Sequence, residues 1–371
     1  MSAVPLGRRL RGLRQAAGLT LEALAARSGV SVRAISDIER GRSLEPQART
    51  VRALADALEV GDADRTALYE AARPPAAEAP PLCLLPADLP DFTGRAAELA
   101  RLGELMRPGG SVVLCGPPGI GKTALAVHAA HASCDRFPGG RLFVDLRGLE
   151  PALVAYRLLR ACGVEETAIP AAAEDRADLL RRTLAERTRL LMLDNAADEP
   201  QVRPLLPHDG VTTVVITARS PLTGLIGAER LRAGPLGDDD AAAMLRAVVH
   251  ADGDDPALHE IARLCGNYPL ALRIAGSRLL SRPGWTAATL ADRLADPARR
   301  LDRLVAGDLR MRDALASACE RLSPRSRSVL RALARGETVD ADDQVDELAE
   351  AGLITRAGVP ELVRLFVLTT P

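Results

Sequence analysis

Gly116–Thr123 reads GPPGIGKT; Ser111–Cys115 before it reads SVVLC, and the residues after Lys122 continue TALAVHAAHA. A short apolar strand that enters G-x-x-x-x-G-K-T and leaves as a helix is the local context of a P-loop. Glycines at Gly116, Gly119 and Gly121, with Ile120 between them, let the backbone curl until its N–H groups converge on phosphate oxygens. The first helical turn, Lys122 to Ala124, adds the positive end of its dipole. Lys122 is expected to reach the β- and γ-phosphates of ATP or ADP, and Thr123 to offer its hydroxyl to Mg²⁺. Lys122 is also the sole lysine, every other basic side chain among the 48 being arginine. An arginine-using chain thus keeps one compact ammonium at the place where phosphate is cradled.

Outward from this motif, apolar runs alternate with helical stretches. Arg141–Leu146 (RLFVDL), Leu190–Leu193 (LLML), Thr212–Thr217 (TTVVIT) and a weaker run near Leu231 join Ser111–Cys115 as strand candidates. Short continuous apolar strands separated by helices predict a parallel sheet buried on both faces. LLMLDN ends in Asp194, the Walker B pattern, in which a carboxylate at a strand end orients Mg²⁺ and its water. Lys122 and Asp194 are therefore the expected catalytic pair. Asn195 follows where fast ATPases carry an acid, and an amide is a poor proton acceptor, so hydrolysis is expected to be slow at most. VVITAR ends in Arg219, a candidate γ-phosphate sensor. After Pro235 the pattern turns helical, including Asp238–Val249, whose three leading aspartates favour a helix N-terminus. Leu322–Leu368 reads as helix, helix and a short β-like end.

The N-terminal segment follows different rules. Leu6–Ala16 has helical apolar spacing; Thr20 can cap a second helix, Gly29 breaks it, and Ser31 can cap a third. Further helices are expected after Pro46 and over Asp62–Ala72. Residues 1–60 hold ten arginines against six acids, an excess of +4 in a chain whose net charge is −1. The run LRQAAGLTLEALAARSGVSVRAISDIERGR resembles the Xre/Cro repressor-type helix-turn-helix. That resemblance implies that Ser31, Val32, Arg33 and Ser36 face the major groove of double-stranded operator DNA, with Arg40 and Arg42 on phosphates.

The chain's 371 residues allow two or three domains. The fold class expected is multidomain: an all-α helix-turn-helix domain over 1–73, a proline-rich linker over 74–90, an α/β P-loop NTPase over 91–235, a helical subdomain over 236–300 and a winged-helix-like subdomain over 301–371. Six scattered cysteines without a C-x-x-C pair suit a reducing compartment, and the absence of a long apolar run argues against a membrane span. A cytoplasmic location is expected. His128 and His131 lack a third metal ligand, and Trp285 reads as a packing anchor.

Together with Phe92-Thr93-Gly94-Arg95 and CGNYPLALRIAG (Cys265–Gly276), the P-loop, LLMLDN and VVITAR resemble the NB-ARC module of STAND-class signalling ATPases, most of all bacterial regulators of antibiotic and secondary-metabolite pathways. The resemblance implies that Phe92, Gly94 and Arg95 lie near adenine and ribose, and that Pro269 packs on the adenine. It also implies an ADP-held closed state that opens on exchange for ATP, with homo-oligomerisation. Val359-Pro360-Glu361 stands where that family carries a Met-His-Asp-type motif, and proline offers no side-chain donor to an ADP phosphate. A second function implied is a defence-like scaffold whose helix-turn-helix binds protein.

Overall fold

A computed structural model describes residues 6–40, 48–58, 60–61, 64–65, 68–69, 71, 82–208 and 210–370. The chain divides into two compact units, Met1–Pro80 and Pro81–Pro371.

In the first unit, α1 (Leu6–Ala16), α2 (Leu21–Ser28), α3 (Val32–Glu39) and α4 (Ala48–Ala57) surround Leu10, Leu24, Ile35 and Leu54, all at most 2% exposed. The helix starts follow from their caps. Thr20 Oγ1 accepts from Ala23 N at 3.1 Å and Ser31 Oγ from Ala34 N at 3.2 Å. Each satisfies a first-turn N–H that the helix cannot, worth about 1 kcal/mol. Arg14 at the end of α1 forks onto both carboxylate oxygens of Glu39 at the end of α3, at 2.7 and 2.9 Å. The helix expected over Asp62–Ala72 falls largely outside the described residues.

The second unit is organised by five parallel strands: β1 (Ser111–Cys115), β2 (Arg141–Asp145), β3 (Leu190–Ala196), β4 (Thr213–Ala218) and β5 (Glu229–Arg232), in the order β2-β3-β4-β1-β5. Side chains alternate across a strand, so a continuous apolar run must be covered on both sides. Val113, Leu191, Leu193 and Ile216 pack beneath α7 (Pro151–Ala161) and α8 (Ala173–Ala185). Val112, Leu114, Met192 and Val215 share the opposite core with α5 (Ala96–Leu105) and α6 (Lys122–Ala132). That second core continues into a helical C-terminal part: α9 (Asp238–Val249), α10 (Pro256–Leu264), α11 (Pro269–Leu280), α12 (Ala287–Ala295), α13 (Met311–Cys319), α14 (Pro324–Ala334), α15 (Asp342–Glu350) and α16 (Glu361–Thr369).

Two segments depart from the sequence expectation. The β-like end is instead α16, because Leu362, Val363, Phe366 and Val367 recur at helical spacing and are all buried. Burial of one helix face overrides the β-preference of valine and phenylalanine. Residues 82–90, expected as linker, run against the sheet edge and α6. Cys83 bridges to Arg141, Leu84 N donates to Arg141 O at 2.9 Å, and His131 Nε2 lies 2.9 Å from Pro86 O. No helix among the described residues is long and apolar enough to cross a membrane.

Candidate functional site

With β4 seated between β1 and β3, the carboxyl ends of the P-loop strand and the Asp194 strand face each other across one strand width. That edge of a parallel sheet is where α/β folds bind ligands. Gly116 leaves β1 with φ 149°, and a Cβ there would sit 2.4 Å from Ala233 O, so only glycine lets the loop turn. Lys122 Nζ donates to Gly116 O at 2.9 Å and Pro117 O at 3.0 Å, folded back over the loop it belongs to. Burial, then the nearby Arg219 charge, push its ammonium down to about 8. Such a cation gains from an anion placed beside it.

Asp194 is 3% exposed and fully engaged. Its Oδ1 accepts from Thr123 Oγ1 at 2.7 Å and Thr217 Oγ1 at 2.5 Å, and its Oδ2 from Asn195 Nδ2 at 2.7 Å. Burial pushes the Asp194 carboxyl above the usual range, against the two hydroxyl donors, and the Asp145 charge adds to the rise. The Thr123 hydroxyl and Asp194 carboxylate form a pair of hard oxygen donors, the chemistry Mg²⁺ selects, with water and phosphate completing its shell. They fit that ion. No group of three or more His, Cys, Asp or Glu side chains among the described residues could hold a metal unaided.

Arg95 is the hub of the segment expected near the nucleoside. It is 5% exposed, in the left-handed region at φ 60°, and its Nη2 donates to Ile120 O and Gly234 O, both at 2.8 Å. Its backbone N reaches Asp240 Oδ2 at 3.3 Å, and a Cβ on Gly94 would collide with that same aspartate. Arg95 therefore braces the P-loop against α9 rather than projecting into open space. Phe92 stacks on His128 with ring centroids 4.1 Å apart and planes 6° from parallel, and His128 Nδ1 lies 3.0 Å from Asp88. Pro269 opens α11, beside Gly121, and Leu270 N donates to Gly119 O at 3.0 Å. Ala124 lies in the first turn of α6.

Arg219, at the end of β4, is held from the C-terminal part: its Nη1 and Nη2 donate to Ser317 O and Oγ of α13 at 2.5 and 2.6 Å. Burial and then Arg321 pull its guanidinium below the usual range. Gly352, just past α15, meets the P-loop so closely that a Cβ would lie 2.8 Å from Pro117 Cα. Leu270 and Met311 both stand against Gly119 and Gly352 against Pro117, so the C-terminal part covers the loop. Glu361 pairs with the buried Arg300 at 2.6 Å, and Pro360 caps α16.

Two residues of this cluster escape a motif search. Asp145 stands in register with Asp194, accepts from Asn195 Nδ2 at 3.1 Å and is forked by Arg147. Its signal was an acid closing a buried apolar run, the same signal that marks Asp194. Ser317 carried no signal, being 98 residues from Arg219 in an ordinary amphipathic helix.

In the first unit, α3 presents Ser31, Val32, Arg33 and Arg40 to solvent, Val32 being 37% exposed, while Ser36 is half-buried. Among the described residues Arg33 forms one ion pair, with Asp37 4.0 Å away. Arg42 lies outside the described residues.

Residues 5–68 match a family model described as a helix-turn-helix domain. The regulatory protein AfsR of Streptomyces griseus is 36% identical over 316 residues, spanning 76% of this chain and 32% of that protein. AfsR of Streptomyces coelicolor is 36% identical over 321 residues, with the same coverage. The chain thus spans about a third of the length of these relatives. Among solved structures, a Walker-type ATPase of Pyrococcus abyssi matches with a TM-score of 0.52 at 15% identity, over 78% of this chain and 98% of that one, a likeness of fold. This chain is accordingly a multidomain protein, a helix-turn-helix followed by a P-loop ATPase fold, related in sequence to the AfsR-type regulators.

Proposed function

We propose that the chain is a DNA-binding transcriptional regulator whose conformation and assembly are set by ATP against ADP, acting on secondary-metabolite genes. The observation that carries the switch is the Arg219–Ser317 clasp. A guanidinium at the P-loop edge of the sheet is occupied by a helix from the C-terminal part. A γ-phosphate beside Lys122 competes for the same guanidinium, so ATP and ADP bind states with different helix positions. Only such a differential interaction shifts a conformational equilibrium.

In this reading Lys122 and the loop N–H groups hold the β-phosphate, and Thr123 and Asp194 hold Mg²⁺, which neutralises phosphate charge when bound. Arg95 fixes the loop to α9, and Phe92 and Pro269 border the nucleoside. With Asn195 donating to Asp194, turnover is slow, and the nucleotide acts as a state rather than a fuel. On the other unit Ser31, Val32, Arg33 and Ser36 read the major groove, and Arg40 and Arg42 contact phosphates. Pairing of helix-turn-helix units in an ATP-state oligomer raises affinity for paired half-sites. The winged-helix-like region over 301–371 is the moving part and the location is cytoplasmic.

The test holds nucleotide constant while DNA is titrated. Purified chain is mixed with duplex from its own upstream region in ADP, ATP or a non-hydrolysable analogue, and mass and affinity are followed together. Both are expected to change with ATP, and the change to vanish in Lys122→Ala. Equal mass and affinity in all three nucleotides would refute the switch.

A further inference from the structure

Trp285, the sole tryptophan, is surrounded by arginines. The guanidinium carbons of Arg282 and Arg293 each lie 4.4 Å from its ring centroid, and that of Arg278 lies 5.6 Å away. Arg278 comes from the end of α11, Arg293 from α12, and Arg282 and Trp285 from the loop between. Elsewhere arginines find carboxylates, as in Arg14–Glu39, Arg273–Asp91 and Arg300–Glu361. Among the described residues none of these three does. Asp296, just past α12, is shared at 3.9 Å by Arg299 and Arg303 rather than by the cluster. Arg278 Nε is buried without a hydrogen-bond partner, its Nη1 being spent on Val305 O at 3.2 Å. Between Arg278 and Arg303 the sequence carries six arginines and three aspartates, in a chain of net charge −1.

Cation–π contact with one ring offsets but does not remove the repulsion of three like charges. Burial, then Arg282, Arg293 and Arg303 in turn, pull the Arg278 guanidinium below its usual range. What relieves such an arrangement is a polyanion with oxygens spaced to meet several forks at once. We propose that the Trp285 arginine cluster is a second contact for the phosphate backbone of double-stranded DNA, separate from the helix-turn-helix. This rests on the DNA-binding reading above. The ring is taken by guanidiniums, which disfavours base stacking and hence a single strand. The exposed heads of Arg282 and Arg293 provide charge without base readout, which is how phosphate contacts add affinity irrespective of sequence. Joined to the helix-turn-helix in one chain, the cluster strengthens binding through effective concentration alone.

The experiment measures full-chain binding to a mixed-sequence duplex over a series of salt concentrations. The variants are Arg282→Ala/Arg293→Ala, Arg282→Lys/Arg293→Lys and Arg33→Ala, each checked for a cooperative melt. Removing two phosphate contacts is expected to reduce the slope of log affinity against log salt by about 1.8, with about tenfold weaker binding at low salt. The lysine pair should keep the slope. In the unaltered protein Trp285 emission should change on adding duplex, a readout that needs no variant. An unchanged slope and silent Trp285 emission, with Arg33→Ala still weakening binding, would overturn the cluster while leaving the helix-turn-helix reading intact. Absence of any duplex binding by the unaltered chain overturns both. Loss of poly-glutamate binding in the alanine pair, with DNA binding unaltered, reassigns the cluster to an acidic protein and overturns the proposal.

Discussion

The P-loop has a floor and a cover, and the two are built differently. The floor is built on strand ends: Asp194, Asn195 and Thr217 lie on β3 and β4, Thr123 joins them from the first turn of α6, and hydrogen bonds among them close at 2.5–3.0 Å, while Lys122 folds onto Gly116 O and Pro117 O. Their positions are set by backbone ladders, so the charge arrangement is preformed. The cover consists of helices: Leu270 on Gly119, Ser317 on Arg219, Gly352 on Pro117. These are isolated contacts, one backbone hydrogen bond, one side-chain clasp and one close approach, with no ladder behind them. A floor fixed by a sheet and a cover fixed by individual contacts is the arrangement in which a ligand alters the cover and leaves the floor alone.

The most severe break is in the floor. Lys122→Ala removes the one ammonium in the loop and is expected to weaken ATP and ADP alike by about 100-fold or more, as for truncation of a buried charged partner. Isothermal calorimetry on both nucleotides measures this. Since the strands and the Asp194 network do not depend on Nζ, the melting temperature without nucleotide should stay close to that of the unaltered chain. A large fall there would mean that Lys122 supports the loop rather than the ligand.

Ser317→Ala probes the cover and should have a smaller, selective effect. It deletes the Oγ acceptor of Arg219 but leaves the Ser317 carbonyl. A hydrogen bond to a charged group contributes about 1.5–3 kcal/mol when intact, and part of that is regained from solvent at this half-buried site. The ratio of ATP to ADP affinity is therefore expected to shift towards ATP by about three- to tenfold, an effect on the order of 1 kcal/mol. Equal changes for the two nucleotides would show that the clasp does not sense the γ-phosphate.

The same contrast explains what could be read without coordinates. The floor was legible because its parts lie within a few residues of glycine, lysine and strand-ending acids, whose spacing is dictated by phosphate and metal chemistry. Asp145 belongs to that floor and closes the RLFVDL run, yet nothing else in the run singled it out; what was missing was the register that sets it beside Asp194. The cover was not legible. Ser317, Gly352 and Leu270 are ordinary residues in their own segments, and only the packing of α11, α13 and α15 brings them to the loop. The end of the chain misled for a related reason. The Val-Phe-Val content of α16 suggests β structure locally, and a buried helical face decides otherwise.

The smallest effect is expected where the cover is tethered. Arg273 on α11 forks onto Asp91, just ahead of the Arg95 hub, with Nη2 to Oδ1 at 2.8 Å and a second, shorter contact from Nη1 to Oδ2. The Arg273 guanidinium holds the Asp91 carboxyl below its usual range, against a smaller opposing effect of burial. A carboxyl whose folded pKa is depressed stabilises the fold above its ordinary value and loses that contribution as pH falls through the folded one. The pair therefore contributes fully at neutral pH, and its contribution disappears in the acid range below about 4. Arg273→Ala should lower stability at pH 7 by about 0.5–1 kcal/mol, read from urea unfolding of the full chain, and should make stability less sensitive to pH below that point. If the unaltered chain and the variant lose stability in parallel through the acid range, Asp91 is not coupled to Arg273 in solution. The tether between α11 and the segment before α5 would then have to be sought in the apolar contacts of the shared core.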